Sequence, residues 1–164
     1  MKTFKEKVAV ITGAGSGMGR YLAVLLAKDG ADVCICDVNQ ETLDETAEML
    51  RKYNVSVSSH LLDVSDKESI ESLPQKVIDH HGKIDLVFNN AGVTTGSHFK
   101  DMEEENWNWV MGINFDGVIN STRAFIPHMI DRPEAAIVNT SSIFGMVAVP
   151  VSYTHLRAHE TKTD

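Results

Sequence analysis

Little in this sequence ties it to an oxidising compartment, a membrane or a nucleic acid. Among 164 residues only Cys34 and Cys36 are cysteines, and they alternate within Asp32-Val33-Cys34-Ile35-Cys36-Asp37, so a strand would point both to one face. That placement makes a disulfide between them implausible, and two ligands fall short of a metal site. Buried thiols acting as small hydrophobes are expected, and no metal. Long hydrophobic runs are missing too. Residues 1–7 lead straight into about five apolar residues, too few for the apolar region of a signal peptide or for a membrane span. The three Asn-x-Ser/Thr triplets, at Asn54, Asn120 and Asn139, are then chance matches, and a cytoplasmic protein is expected. Positive charge is short: 15 Lys and Arg against 23 Asp and Glu leave a net charge of −8, which argues against nucleic acid or an anionic membrane as partner. Repeats, low-complexity tracts and linkers do not occur, so one domain, or part of one, is expected at this length.

What is present is a regular alternation of short apolar runs with helical patterns. Lys7 to Ile11 reads as a strand, Ser16 to Asp29 as a helix stopped by Gly30, and Asp32 to Cys36 as a second strand. The pattern continues with a helix from Gln40 to Tyr53, a strand from Val55 to Leu62, a helix from Lys67 to His81 and a strand from Ile84 to Phe88. A longer helical region from Glu103 to Ile130 and a fifth strand from Ala135 to Asn139 complete it. Strands separated by helices predict an α/β fold, a doubly wound parallel sheet with helices on both faces.

Between the first strand and its helix lies Thr12-Gly13-Ala14-Gly15-Ser16-Gly17-Met18-Gly19. Glycines at 13, 17 and 19 let the backbone bend sharply, admit a pyrophosphate without Cβ obstruction and pack the helix close to the strand. The N–H groups at that helix start would face the phosphates. Ligands of such sheets sit beyond the carboxyl ends of the strands. Each predicted strand end carries a special residue: Thr12-Gly13, Asp37, Asp63-Val64, Asn89-Asn90-Ala91-Gly92 and Ser141-Ser142. Asp37 lies 18 residues beyond Gly19, close to the roughly 20-residue spacing at which an acid meets the adenosine ribose. A carboxylate there accepts from ribose hydroxyls and repels a 2′-phosphate, which favours NAD over NADP. Asp37 also fits a turn ahead of the next helix, Asp63 a loop residue at a helix start, and the paired asparagines a turn that satisfies its own backbone.

Together these residues resemble the classical branch of the short-chain dehydrogenase/reductase family, over about residues 4–150. The glycine turn fits the family's Thr-Gly-x-x-x-Gly-x-Gly pattern, and Asp37 its NAD-selecting acid. Asp63-Val64 is similar to the pair beside the adenine, and Asn89-Asn90-Ala91-Gly92 to the family's Asn-Asn-Ala-Gly signature. The resemblance implies a Rossmann-type sheet and hydride transfer between nicotinamide and a secondary alcohol or ketone. It makes Thr12, Gly13, Ser16, Gly17, Met18, Gly19, Asp37, Asp63, Val64, Asn89, Asn90, Ala91 and Gly92 cofactor-binding residues, and Ser142, Asn114 and Tyr153 catalytic ones. In that chemistry the serine orients the substrate oxygen, the tyrosine moves the proton, and the asparagine supports a relaying water. A lysine four residues after the tyrosine lowers its pKa. The partners implied are a small alcohol or carbonyl substrate and, for a parent protein, further copies of itself.

The tail departs from that pattern. Family spacing would place the tyrosine at His155 and the lysine at His159, whereas the tyrosine is Tyr153 and the residue four later is Arg157. A guanidinium keeps the charge but is not equivalent to a compact ammonium. The expected division is a partial dinucleotide-binding domain over 1–150, lacking the family's last strands, and a foreign tail over 151–164 with the look of translated adaptor sequence. The fragment so defined is expected to be inactive. The alternative is a catalytically silent dinucleotide-binding module. Trp107 and Trp109 are expected to pack a helix core or a subunit contact. His80-His81, at a helix end before Gly82, are placed where a cation favours the dipole.

Overall fold

A computed structural model describes residues 3–96 and 101–142. The elements run β1 Val8–Thr12, α1 Gly17–Lys28, β2 Asp32–Asp37, α2 Gln40–Leu50, β3 Val57–Leu61, α3 Lys67–His81 and β4 Leu86–Asn89. They continue with α4 Glu104–Met111, a π-helical segment Gly112–Asp116, α5 Gly117–Met129 and β5 Ala136–Asn139. The five strands form one sheet in the order β3-β2-β1-β4-β5, every pair parallel. The chain winds outward from β1 to β3, crosses back, and continues from β4 to β5. The order therefore reverses between β1 and β4, the place where such sheets open a crevice at their carboxyl ends.

β1 is fully buried, so its run of apolar residues is continuous, yet the two-residue period still sorts the core. Val8 and Val10 face one side with Cys34, Cys36 and Val87, against Ile70, Leu73 and Val77 of α3 and Phe125 and Met129 of α5. Ala9 and Ile11 face the other with Val33, Ile35 and Leu86, against Ala23, Leu26 and Ala27 of α1 and Leu43 and Leu50 of α2. The sheet is thus doubly wound, as the sequence pattern predicts, and both thiols lie in the same core layer.

Two expectations shift. The helix from Glu103 to Ile130 is not uniform: the π-helical segment interrupts it at Gly112–Asp116, around Asn114. Trp107 and Trp109, expected in a helix core or at a subunit contact, are 41% and 47% exposed, which removes the first of those two placements.

The end of the sheet opposite the crevice is tied by Asp85. Its buried carboxylate accepts from the Val8 N–H at 2.9 Å and from Arg132 at 2.7 Å, with Lys83 at 3.3 Å. Burial alone would push this carboxyl up, but the Val8 N–H and the Arg132 and Lys83 cations outweigh it and hold it below the ordinary value.

Candidate active site

The crevice is a cleft of about 340 Å³ at the carboxyl ends of β1, β2 and β4. Its floor is the glycine turn. A Cβ at Gly19 would lie 2.1 Å from the Gly13 carbonyl oxygen and 2.6 Å from Asn90 Nδ2, so only glycine lets α1 approach β1 and β4 this closely. The contact is used: Asn90 Nδ2 donates to the Thr12 carbonyl at 3.1 Å and to that of Gly13 at 3.3 Å.

The N-terminus of α1 faces this cleft through Ser16, Gly17, Met18 and Gly19. It differs from its neighbours. Asn39 caps α2 by accepting from Thr42 N–H, Asp66 caps α3 by accepting from Glu68 and Ser69 N–H, and both helices carry a glutamate in the first turn. Ser16 makes no side-chain cap, and the first turn of α1 has no acid. Its opening N–H groups therefore carry uncompensated positive potential toward the cleft.

Asp37 stands on the wall at the end of β2, its Oδ2 accepting the Gly15 N–H at 2.8 Å and its Oδ1 the Asn39 N–H at 3.1 Å. Asp63 and Val64 follow β3 on the same wall. Asp63 Oδ1 accepts from the backbone and hydroxyl of Ser65, an Asx turn, while the buried Val64 presents an apolar surface. Asn90, Ala91 and Gly92 complete the far side. The sequence patterns missed the apolar lining, Val38, Leu62, Val93 and Ile113. Each adjoins a flagged residue in sequence, so direct neighbours of the strand-end polar residues were the available signal.

Thr12 and Asn89 are not on the cleft wall. The Thr12 hydroxyl accepts the N–H groups of Asn90 and Ala91, both at 3.1 Å. Asn89 is 3% exposed and turned to the other side, where it accepts from Ser121 at 2.6 Å and donates to Asn139 at 2.8 Å. These two side chains join β1, β4, β5 and α5 to one another beneath the cleft.

Of the three residues assigned to catalysis, Asn114 sits in the π-helical segment with its carboxamide paired to the Val93 backbone. Its Oδ1 accepts Val93 N–H and its Nδ2 donates to the Val93 carbonyl, both at 2.8 Å. The side chain thus fixes the segment after β4, and its second N–H and second lone pair stay open to a water. Ser142 lies beyond β5, exposed and off the cleft wall. Tyr153 and the rest of the tail, Arg157 included, lie outside the described residues.

His81 corrects another expectation. Burial first, then the neighbouring His80, pull its pKa from 6.5 to about 4. The ring is neutral at ordinary pH, bonded to the Ser58 hydroxyl at 2.8 Å, and is not a cation serving the α3 dipole. Among the described residues no cluster of three or more His, Cys, Asp or Glu could hold a metal, and no helix is long and apolar enough to cross a membrane.

A family model described as short chain dehydrogenase matches residues 7–154. The chain belongs to the short-chain dehydrogenase family. It is 40% identical over 155 residues to SadH of Mycobacterium tuberculosis, covering 92% of this chain and 54% of SadH. It is 37% identical over 144 residues to the 3-oxoacyl-(acyl-carrier-protein) reductase FabG of Thermotoga maritima, covering 88% of this chain and 58% of FabG. The crystal structure of a short-chain dehydrogenase/reductase from Burkholderia phymatum in complex with NAD superposes with a TM-score of 0.87 at 39% identity, over 93% of this chain and 54% of that one. The chain thus spans about half the length of these curated relatives.

Proposed function

We propose that the chain binds NAD(H) in the cleft and represents the cofactor-binding part of an oxidoreductase acting on a secondary alcohol or ketone. The observation that carries this reading is the uncapped, acid-free N-terminus of α1, opening onto the cleft with Asp37 on the adjoining wall. The residues fit a dinucleotide. Ser16, Gly17, Met18 and Gly19 would hold the pyrophosphate through backbone N–H groups, and Asp37 would accept from the adenosine ribose. Val38, Leu62 and Val64 offer apolar surface to the adenine, and Ala91 and Gly92 leave room for the nicotinamide. When bound, the nicotinamide supplies or accepts a hydride.

Asp37 favours NAD over NADP, since its charge would repel a 2′-phosphate. Ser142 would orient the substrate oxygen and Tyr153 would give or take its proton. Tyr153 stands two residues short of the family position, and the residue four after it is Arg157, not lysine; displacements near 1 Å cost about a hundredfold in rate. We therefore propose that the chain as written shows no measurable turnover, and that a partial domain runs to about residue 150 with 151–164 foreign to it, although the family match reaches Thr154. A second reading, a dinucleotide-binding module without catalysis, is favoured by Arg157, not a lysine, standing four residues after Tyr153. A parent protein assembled from several copies is in keeping with the exposed Trp109, Phe115 and Ile130.

Titration with NADH and NADPH, followed by calorimetry, tests the cleft. Saturable NADH binding, tighter than NADPH binding, is expected, and no binding at millimolar cofactor would overturn the reading. Absorbance at 340 nm with a panel of secondary alcohols and ketones separates the two readings. Robust turnover abolished by Tyr153→Phe would show the tail to be functional.

A further inference from the structure

Arg20 stands where helix physics disfavours it. It is the fourth residue of α1, near an N-terminus that disfavours cations, and it is not on the cleft wall where an anion could offset that. Its guanidinium is turned to α2. Nε donates to the Gly15 carbonyl and to the Thr46 hydroxyl, both at 2.9 Å. One Nη donates to the Thr42 carbonyl at 3.1 Å, to Glu45 Oε2 at 2.7 Å, and also to the Gly15 carbonyl. Thr46 is fully buried, and its hydroxyl reaches the Ala14 carbonyl at 3.0 Å.

The buried residue Gly15 is therefore held on both sides, its carbonyl by Arg20 and its N–H by Asp37 Oδ2 at 2.8 Å. There is no slack around it. A Cβ at Gly15 would lie 2.5 Å from Thr42 Oγ1 and 2.7 Å from the Asp37 carboxyl carbon. The planar fork of arginine reaches four acceptors on two elements at once, which a lysine ammonium on its flexible stem does not match.

Resting on the reading of the cleft as a dinucleotide site, we propose that Arg20 is a positioning residue for the ribose contact. By fixing the Gly15 carbonyl it keeps the Gly15 N–H on Asp37, and so holds that carboxylate where it meets a 2′-hydroxyl. Glu45 assists by neutralising the cation and directing it toward α2.

The test compares NADH with its analogue lacking the adenosine 2′-hydroxyl, on the full chain and on Arg20→Met, Arg20→Lys and Glu45→Gln. In the unaltered chain the analogue binds at least about tenfold more weakly, the scale of a hydrogen bond to a charged group. In Arg20→Met that ratio falls toward one, with Arg20→Lys and Glu45→Gln between. A merely structural role would weaken both ligands equally; an unchanged ratio in Arg20→Met, or in Glu45→Gln should Arg20→Met fail to fold, overturns the proposal. Amide exchange at Gly15, measured without ligand, is the independent reading. It should quicken about tenfold or more in Arg20→Met while the interior of β2 keeps its protection. Exchange equal to the unaltered chain's overturns the proposal even if no dinucleotide binds, which would separately defeat the reading of the cleft.

Discussion

The hydroxyl of Thr12 accepts the N–H of Asn90 at 3.1 Å, tying the last residue of β1 to the first residue past β4. The same oxygen accepts the Ala91 N–H and donates to the Phe88 carbonyl at 3.4 Å. Thr12→Val keeps the shape but leaves two N–H groups without their acceptor. A loss of about 1–3 kcal/mol is expected, read by urea unfolding, with NADH affinity weakened because Asn90 and Ala91 line the cleft. Thr12→Ser should keep most of both; if Thr12→Val unfolds at the same urea concentration as the unaltered chain, the hydroxyl is not the tie.

Gly19→Ala is the most severe single-methyl change the cleft offers. The added carbon would meet the Gly13 carbonyl oxygen at 2.1 Å, a backbone atom with no freedom to rotate away. Overpacking of this kind costs about 1–3 kcal/mol, and relief requires α1 to move off β1, spoiling the N–H groups that face the cleft. NADH binding should vanish while circular dichroism still reports a folded sheet. Retained affinity would mean that the helix start is not what holds the ligand.

The succession of strands and helices was readable because apolar runs and helical patterns alternate without interruption, and the strand ends because each stops at a polar or glycine residue. What escaped is side-chain direction. Asn89 and Asn90 are adjacent in one signature, yet pleating puts Asn89 on the side of Val87, under Ser121 of α5, while Asn90 turns to the cleft. The two-residue period would have separated them. The π-helical segment was not readable, because Gly112-Ile113-Asn114 fits a regular helix and only the pairing of Asn114 with Val93, 21 residues away, shows what the segment is for. The grip of Arg20 on Gly15 has no motif of its own; it joins a helix start to a second helix that packs beside it.

Asp85→Ala should be among the most destabilising changes away from the cleft. It leaves the buried Val8 N–H without its acceptor, which costs about 1–3 kcal/mol, and takes the shared partner from Arg132 and Lys83, each 34% exposed. Asp85→Asn should cost less, since an amide oxygen still accepts from Val8. The carboxyl is held below its ordinary value of 3.8, so its contribution is present above that pH and is lost as pH falls through the lower folded value. A melting temperature flat below pH 4 would contradict this pairing.

His81 adds to the acid response in the same direction, in a separate and higher window. Its pKa falls from 6.5 to about 4 on folding, chiefly through burial and then the charge of His80, with His60 adding to the fall and Asp32 opposing it. Between those values the unfolded chain binds the proton and the folded chain does not. The contribution is therefore complete above pH 6.5 and is lost progressively as pH falls toward 4. Protonation would also leave a charged ring against the Ser58 hydroxyl, with its Nδ1 buried and without a partner. His81→Gln should flatten the melting temperature across that window while leaving the steeper loss below pH 4, which belongs to carboxylates such as Asp85, in place. If unaltered chain and variant lose stability in parallel from pH 6.5 to 4, the proton goes elsewhere and His81 is not the group that titrates.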